Sequence, residues 1–93
     1  MKNNFGQTVI TRGLYTDMEN DPQMKKDIAA AWKRYCNHDW GELEEYDKQL
    51  NDKAIENIGS DRILAKYKTY KGYIYIITEH DRSYTTFMYC NEY

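Results

Sequence analysis

The run Ile74-Tyr75-Ile76-Ile77-Thr78-Glu79-His80-Asp81-Arg82-Ser83-Tyr84-Thr85-Thr86-Phe87 decides how this 93-residue chain folds. Successive side chains of a strand alternate between its two faces. Ile74, Ile76 and Thr78 therefore point to one side, and Tyr73, Tyr75 and Ile77 to the other. Their β-branched and aromatic character suits a half-buried pleated surface. Glu79-His80-Asp81-Arg82 breaks the alternation, and four residues suit a hairpin loop. Asp81 accepts from nearby backbone N–H groups and so favours a turn. From Tyr84 to Cys90 the alternation resumes, with Thr85, Phe87 and Tyr89 sharing a side.

Upstream of this hairpin, Arg62 to Tyr70 reads as another strand, turning at Lys71-Gly72. Further back lie two helical patterns. Asp21-Pro22 is a strong start, with Asp as N-cap and Pro at the first helical position. Met24, Ile28, Ala31, Trp32 and Tyr35 then recur at helical spacing as far as Cys36 or Asn37. Asn37-His38-Asp39-Trp40-Gly41 connects to a second helix, which Asp39 is placed to cap. Its apolar stripe is Leu43, Tyr46, Leu50, Ala54 and Ile58, and Gly59-Ser60-Asp61 ends it. Gln7 to Thr11 reads as a short first strand, and Leu14 to Met18 as a short helical turn. The predicted architecture is α+β: two amphipathic helices packed on a small antiparallel sheet, in the order β-α-α-β-β-β.

Ninety-three residues suffice for one domain, spanning 1–93. No stretch is long and apolar enough to suggest a membrane span, and Met1 to Gln7 lacks the apolar core of a signal peptide. A cytoplasmic location is expected. Two cysteines, Cys36 and Cys90, are too few for a disulfide scaffold and are expected to be free thiols. The net charge of −2 is unevenly spread. Residues 39–60 carry seven acidic and two basic side chains, a net −5.

Few arrangements suggest chemistry. Two His-Asp dipeptides, His38-Asp39 and His80-Asp81, could join as a metal site in a small hydrolase. The closely spaced Cys and His pairs of a structural zinc site are missing, however, and a helix cap and a turn are the simpler reading. Cys36 beside His38 sets no attack geometry by adjacency alone. The five glycines form no phosphate-binding loop. No catalysis, metal or cofactor is expected.

Binding is better represented. Glu79, Asp81 and Arg82 crowd the hairpin, either as a presented recognition loop or as an internal turn with Arg82 paired to a neighbouring carboxylate. Ten tyrosines exceed what a small core can hold. Tyr73 and Tyr75, with Tyr67, Tyr70, Tyr84 and Tyr89, fall in the sheet, interleaved with Arg62, Lys66, Lys68 and Lys71. Such a face could stack single-stranded nucleic acid, form a protein interface (a homodimer included), or simply be solvated. Glu42, Glu44, Glu45, Asp47, Asp52 and Glu56 line the acidic helix. They are either a solvated face or a mimic of nucleic-acid phosphates that competes for a basic channel.

Thr11-Arg12-Gly13, Trp40-Gly41-Glu42-Leu43, Asp47-Lys48 with Asn51-Asp52, Arg62 to Tyr67 and Ile76 to Thr86 together resemble a family of small proteins carried on plasmids and conjugative elements of Gram-positive bacteria. The pattern Thr-Glu-x-Asp-Arg-Ser-x-Thr-Thr is the most specific part. Tyr75 stands where members commonly have Trp, and the C-terminal Cys90-Asn91-Glu92-Tyr93 lacks their proline. The resemblance implies a mobile-element setting, and such elements encode inhibitors of host defence, anti-CRISPR proteins among them. It brings no catalytic residues. The expected function is inhibition of a host defence nuclease or its ribonucleoprotein complex.

Overall fold

The computed structural model describes residues 5–57 and 61–93. Strand β1 (Gln7–Ile10) leads into three helices, α1 (Arg12–Asn20), α2 (Pro22–Cys36) and α3 (Glu45–Glu56). Strands β2 (Ile63–Thr69), β3 (Gly72–Thr78) and β4 (Tyr84–Tyr89) follow, and Cys90–Glu92 closes with a single 3-10 turn. The class is α+β as expected, with one more helix. The helical turn foreseen at Leu14–Met18 is a full nine-residue helix, because Leu14 and Met18, four apart, both reach the core.

The last three strands form the expected meander. Ile74, Ile76 and Thr78 are fully buried, as are Ile63, Ala65 and Thr85, with Tyr67 and Phe87 nearly so. The register sets Ile76 opposite Ala65 on one side and Phe87 on the other. Nothing in the sequence assigned a partner to β1. It runs parallel to β4, giving the order β1-β4-β3-β2.

Helix α2 packs across the inner face through Met24, Ile28, Ala31 and Tyr35, the stripe read from its sequence. Asp21 caps it, accepting from the Gln23 amide at 3.0 Å. The helix stops in a Schellman arrangement: the Asp39 amide donates to Arg34 O at 2.9 Å and the His38 amide to Tyr35 O at 3.0 Å. His38 takes the left-handed residue of that motif, at φ 61. Asp39 does not cap α3. Its carboxylate holds Arg34 Nε at 2.8 Å and Nη2 at 3.2 Å, and the N-cap of α3 is Glu44, with no side-chain bond.

Inside, polar groups are ordered in a chain. The Thr85 hydroxyl donates to Phe5 O at 2.5 Å. Its single proton is thereby used, so it must accept from Thr78 at 2.7 Å, and Thr78 in turn from the Tyr35 hydroxyl at 2.7 Å. Three hydroxyls thus tie α2, β3, β4 and the segment before β1 together. Burial pushes the Tyr35 phenol up, as a proton donor in this chain requires.

Helix α3 departs from its predicted orientation. Tyr46 is 71% and Leu50 39% exposed, while Asn51 and Ala54 are the buried residues. The inner face is occupied by α2, so α3 lies along the outer edge of β2. There Asn51 acts as a surrogate strand. Its Nδ2 donates to Leu64 O at 2.8 Å and its Oδ1 accepts from Leu64 N at 3.2 Å. Ile58, Gly59 and Ser60 of the predicted stripe and stop lie outside the described residues.

Candidate interaction surface

The helices leave the other side of the sheet open. Strand parity puts Lys66, Lys68, Tyr73, Tyr75, Tyr84, Thr86 and Met88 there, with Ile77, which is buried, and Gln7 and Val9 of β1 join them. None of these strand positions is a carboxylate. Tyr73 is 43% exposed and Tyr84 is comparably open. Lys66 pairs across the strands with Tyr75, and Lys68 with Tyr73. The Lys66 ammonium stands over the Tyr73 ring, 4.7 Å from its centre, in cation–π contact.

Tyr75 is half-buried because the C-terminal residue folds back over it. The Tyr93 ring meets that of Tyr75 edge-on at 5.5 Å, the Arg62 guanidinium stacks on Tyr93, and Arg62 also donates to its hydroxyl. Sequence reasoning missed Tyr93, and no periodicity there could have marked it. Neither Cys36 nor Cys90 forms a disulfide, and burial pushes both thiols up.

Along β2 this basic, aromatic face meets the acidic one. A groove of about 350 Å³ between α3 and β2 is lined by Leu43, Asp47, Leu50, Asn51, Asp61, Arg62 and Leu64. Glu42, Glu44, Glu45, Asp52 and Glu56 are all exposed. Glu45, Asp52 and Glu56, at i, i+7 and i+11, form one outward row about 16 Å long at 1.5 Å rise per residue. Asp52 has a second task, accepting from the buried Trp40 indole at 2.9 Å.

The hairpin corrects the sequence reading most sharply. Arg82 is not presented: it is only 6% exposed. Nor does its guanidinium pair with Asp81 or Glu79. Nη1 donates to the carbonyls of Asp61 (2.9 Å), His80 (3.0 Å) and Glu79 (3.1 Å), and Nη2 to that of Ala54 near the end of α3. A cation at a helix C-terminus also suits the helix dipole. Asp81 is exposed, and its carboxylate holds the turn by accepting from the Ser83 amide at 3.0 Å. That contact with Ser83 keeps the Asp81 carboxyl below its ordinary range. Glu79 is half-buried, and its backbone N–H donates to Tyr84 O.

The two His-Asp pairs do not converge. Among the described residues no three His, Cys, Asp or Glu side chains are placed to hold a metal ion. His38 stacks on Trp40 with ring centres 5.3 Å apart. Among the described residues no helix is long and apolar enough to cross a membrane. The chain matches no protein-family model, no curated protein and no solved structure.

Proposed function

We propose that the protein acts by binding, without catalysis, as a mobile-element inhibitor of a host defence nuclease in the cytoplasm of its host. The candidate target is the RNA-guided nuclease of a type II CRISPR system. One observation supports this most: two exposed surfaces of opposite character adjoin along β2. The sheet face offers Lys66, Lys68, Tyr73 and Tyr84, and the row on α3 offers Glu45, Asp52 and Glu56. A ribonucleoprotein presents the complement of both, a basic channel and a phosphate backbone. The mobile-element setting comes from the family resemblance alone.

Cleavage of target DNA by purified nuclease loaded with guide RNA tests this. Micromolar protein should suppress cleavage and co-elute with the complex. Glu45→Lys combined with Glu56→Lys should relieve the suppression while leaving the fold intact, since both side chains are exposed and neither bonds to the core among the described residues. Full cleavage with no co-elution would end this reading.

A second reading is favoured by the contact of Lys66 with Tyr73 and by the lack of carboxylates on the face: an accessory protein that stacks single-stranded nucleic acid there. It requires binding of labelled oligonucleotides that weakens as salt rises. Lack of binding at low salt removes it.

A further inference from the structure

The two edges of the sheet are treated differently. On β2 the residues whose amides face outward are Leu64, Lys66 and Lys68, with Tyr70 just past its end. Asn51 satisfies Leu64. The Lys66 amide donates to Trp40 O at 3.3 Å, and its carbonyl accepts from Glu42 N at 2.7 Å. The Tyr70 amide donates to Asp27 at 3.0 Å. That edge is closed to another strand.

The edge at β1 has no such cover among the described residues. The Gln7 amide donates to Ser83 O and the Thr11 amide to Phe87 O, so the odd-numbered residues face β4. The backbone groups of Thr8 and Ile10 point away from the sheet. This four-residue strand contains no charge, proline or bulge. Val9 is 43% exposed. Directly beneath runs an apolar groove of about 290 Å³, with Met18, Ile28, Ala29 and Trp32 in its lining and Lys25 as its one charged residue.

We infer that β1 is the interface with a second copy of this chain, paired antiparallel about a two-fold axis at Val9. Thr8 then exchanges both backbone hydrogen bonds with the partner's Ile10, and Ile10 with the partner's Thr8. The outward-facing set is two residues separated by one, so this register satisfies all of them in both copies at once. The two Val9 side chains meet at the axis on the open face, and Thr8 and Ile10 cover the grooves on the inner face. The result is one continuous eight-stranded sheet. A parallel pairing of the same two edges would need a one-residue offset between the copies and so could not be symmetric. The inference is independent of the proposed target.

Sedimentation of the full chain from low to high micromolar concentration tests it. The wild type should move as twice 11.2 kDa. Val9→Lys sets two ammonium groups face to face and should weaken dimerisation at least ~10-fold. Thr8→Pro removes an outward N–H that β4 does not use, and should give a monomer with an unchanged circular dichroism spectrum. Tyr84→Lys, on the adjoining strand but away from the edge, should leave the dimer intact. A wild type that is monomeric throughout, or a dimer that survives both edge substitutions, overturns the inference.

Discussion

Arg82 offers the sharpest test of how this fold is held. Replacing it with Ala strands carbonyls from three segments: the end of α3, the entry to β2 and the β3–β4 turn. Nη1 carries two hydrogens for three acceptors, so the guanidinium makes about three full bonds here. Hydrogen bonds from a charged donor contribute roughly 1.5–3 kcal/mol each. The site lies near the surface, and water can reach some of the abandoned carbonyls. A loss of about 3–5 kcal/mol is expected, against a total of about 5–14 kcal/mol for a 93-residue domain. Arg82 also sits at φ 61, a left-handed conformation that costs a non-glycine residue about 1 kcal/mol. Arg82→Gly loses the same bonds but relieves the backbone, so it should be the more stable of the two variants. Arg82→Lys keeps the charge but cannot fork, and should fall between Arg82→Ala and the wild type. Urea unfolding followed by tryptophan fluorescence measures all three. A loss below about 1 kcal/mol for Arg82→Ala would refute the reasoning. So would an Arg82→Lys protein as stable as the wild type that fails only in binding its partner, since Arg82 would then be a contact residue.

Three further outcomes follow from the same geometry. Gly41 has φ +77, and a Cβ there would lie 2.0 Å from Lys66 O, so Gly41→Ala should cost several kcal/mol in thermal or urea unfolding; Gly72→Ala, at φ +124 with nothing within 4 Å, should cost only about 1–2 kcal/mol of backbone strain. Asn51→Ala uncovers Leu64 on the β2 edge and should cost about 2 kcal/mol while raising the rate of aggregation, read by light scattering. Burial raises Tyr35 and Tyr67 above the ordinary phenol range, so the stability they confer is whole below about pH 10 and is lost as pH rises beyond it. Ultraviolet titration should show these two phenols ionising only with unfolding, and Tyr35→Phe should reduce the late fraction.

The legible parts of the sequence were those that a local period encodes. Strand parity groups Ile74, Ile76 and Thr78 on one side of their strand and Thr85 and Phe87 on one side of theirs, and these are the buried residues; Asp21-Pro22 marks the start of α2. The errors have tertiary causes. Helix α3 was oriented by hydrophobicity, whereas the fold turns Asn51 inward to close a sheet edge and leaves Tyr46 and Leu50 outside. Arg82 carries a charge and sits in a loop, so it reads as surface. Only the convergence of carbonyls from residues 54, 61, 79 and 80 makes it internal. Trp40, Gly41, Asn51, Asp52 and Asp81 are struts of the same kind. Parity separates Tyr73 and Tyr75 from Ile74 and Ile76, but that Tyr75 lies under Tyr93 is not readable from either segment alone.

The pairing of β1 with β4 joins the first strand made to the last. During translation β1 must wait unpaired while the helices and the β2–β3 ladder emerge, and the ribosome still conceals β4 when β3 is already free. The sheet is completed only once β4 is available, and until then the chain offers a nascent strand, Gln7–Ile10, to any extended segment nearby. A ribosome stalled before β4 emerges should therefore carry a protease-sensitive β1 segment, and crowded polysomes are where mispairing between neighbouring chains would begin.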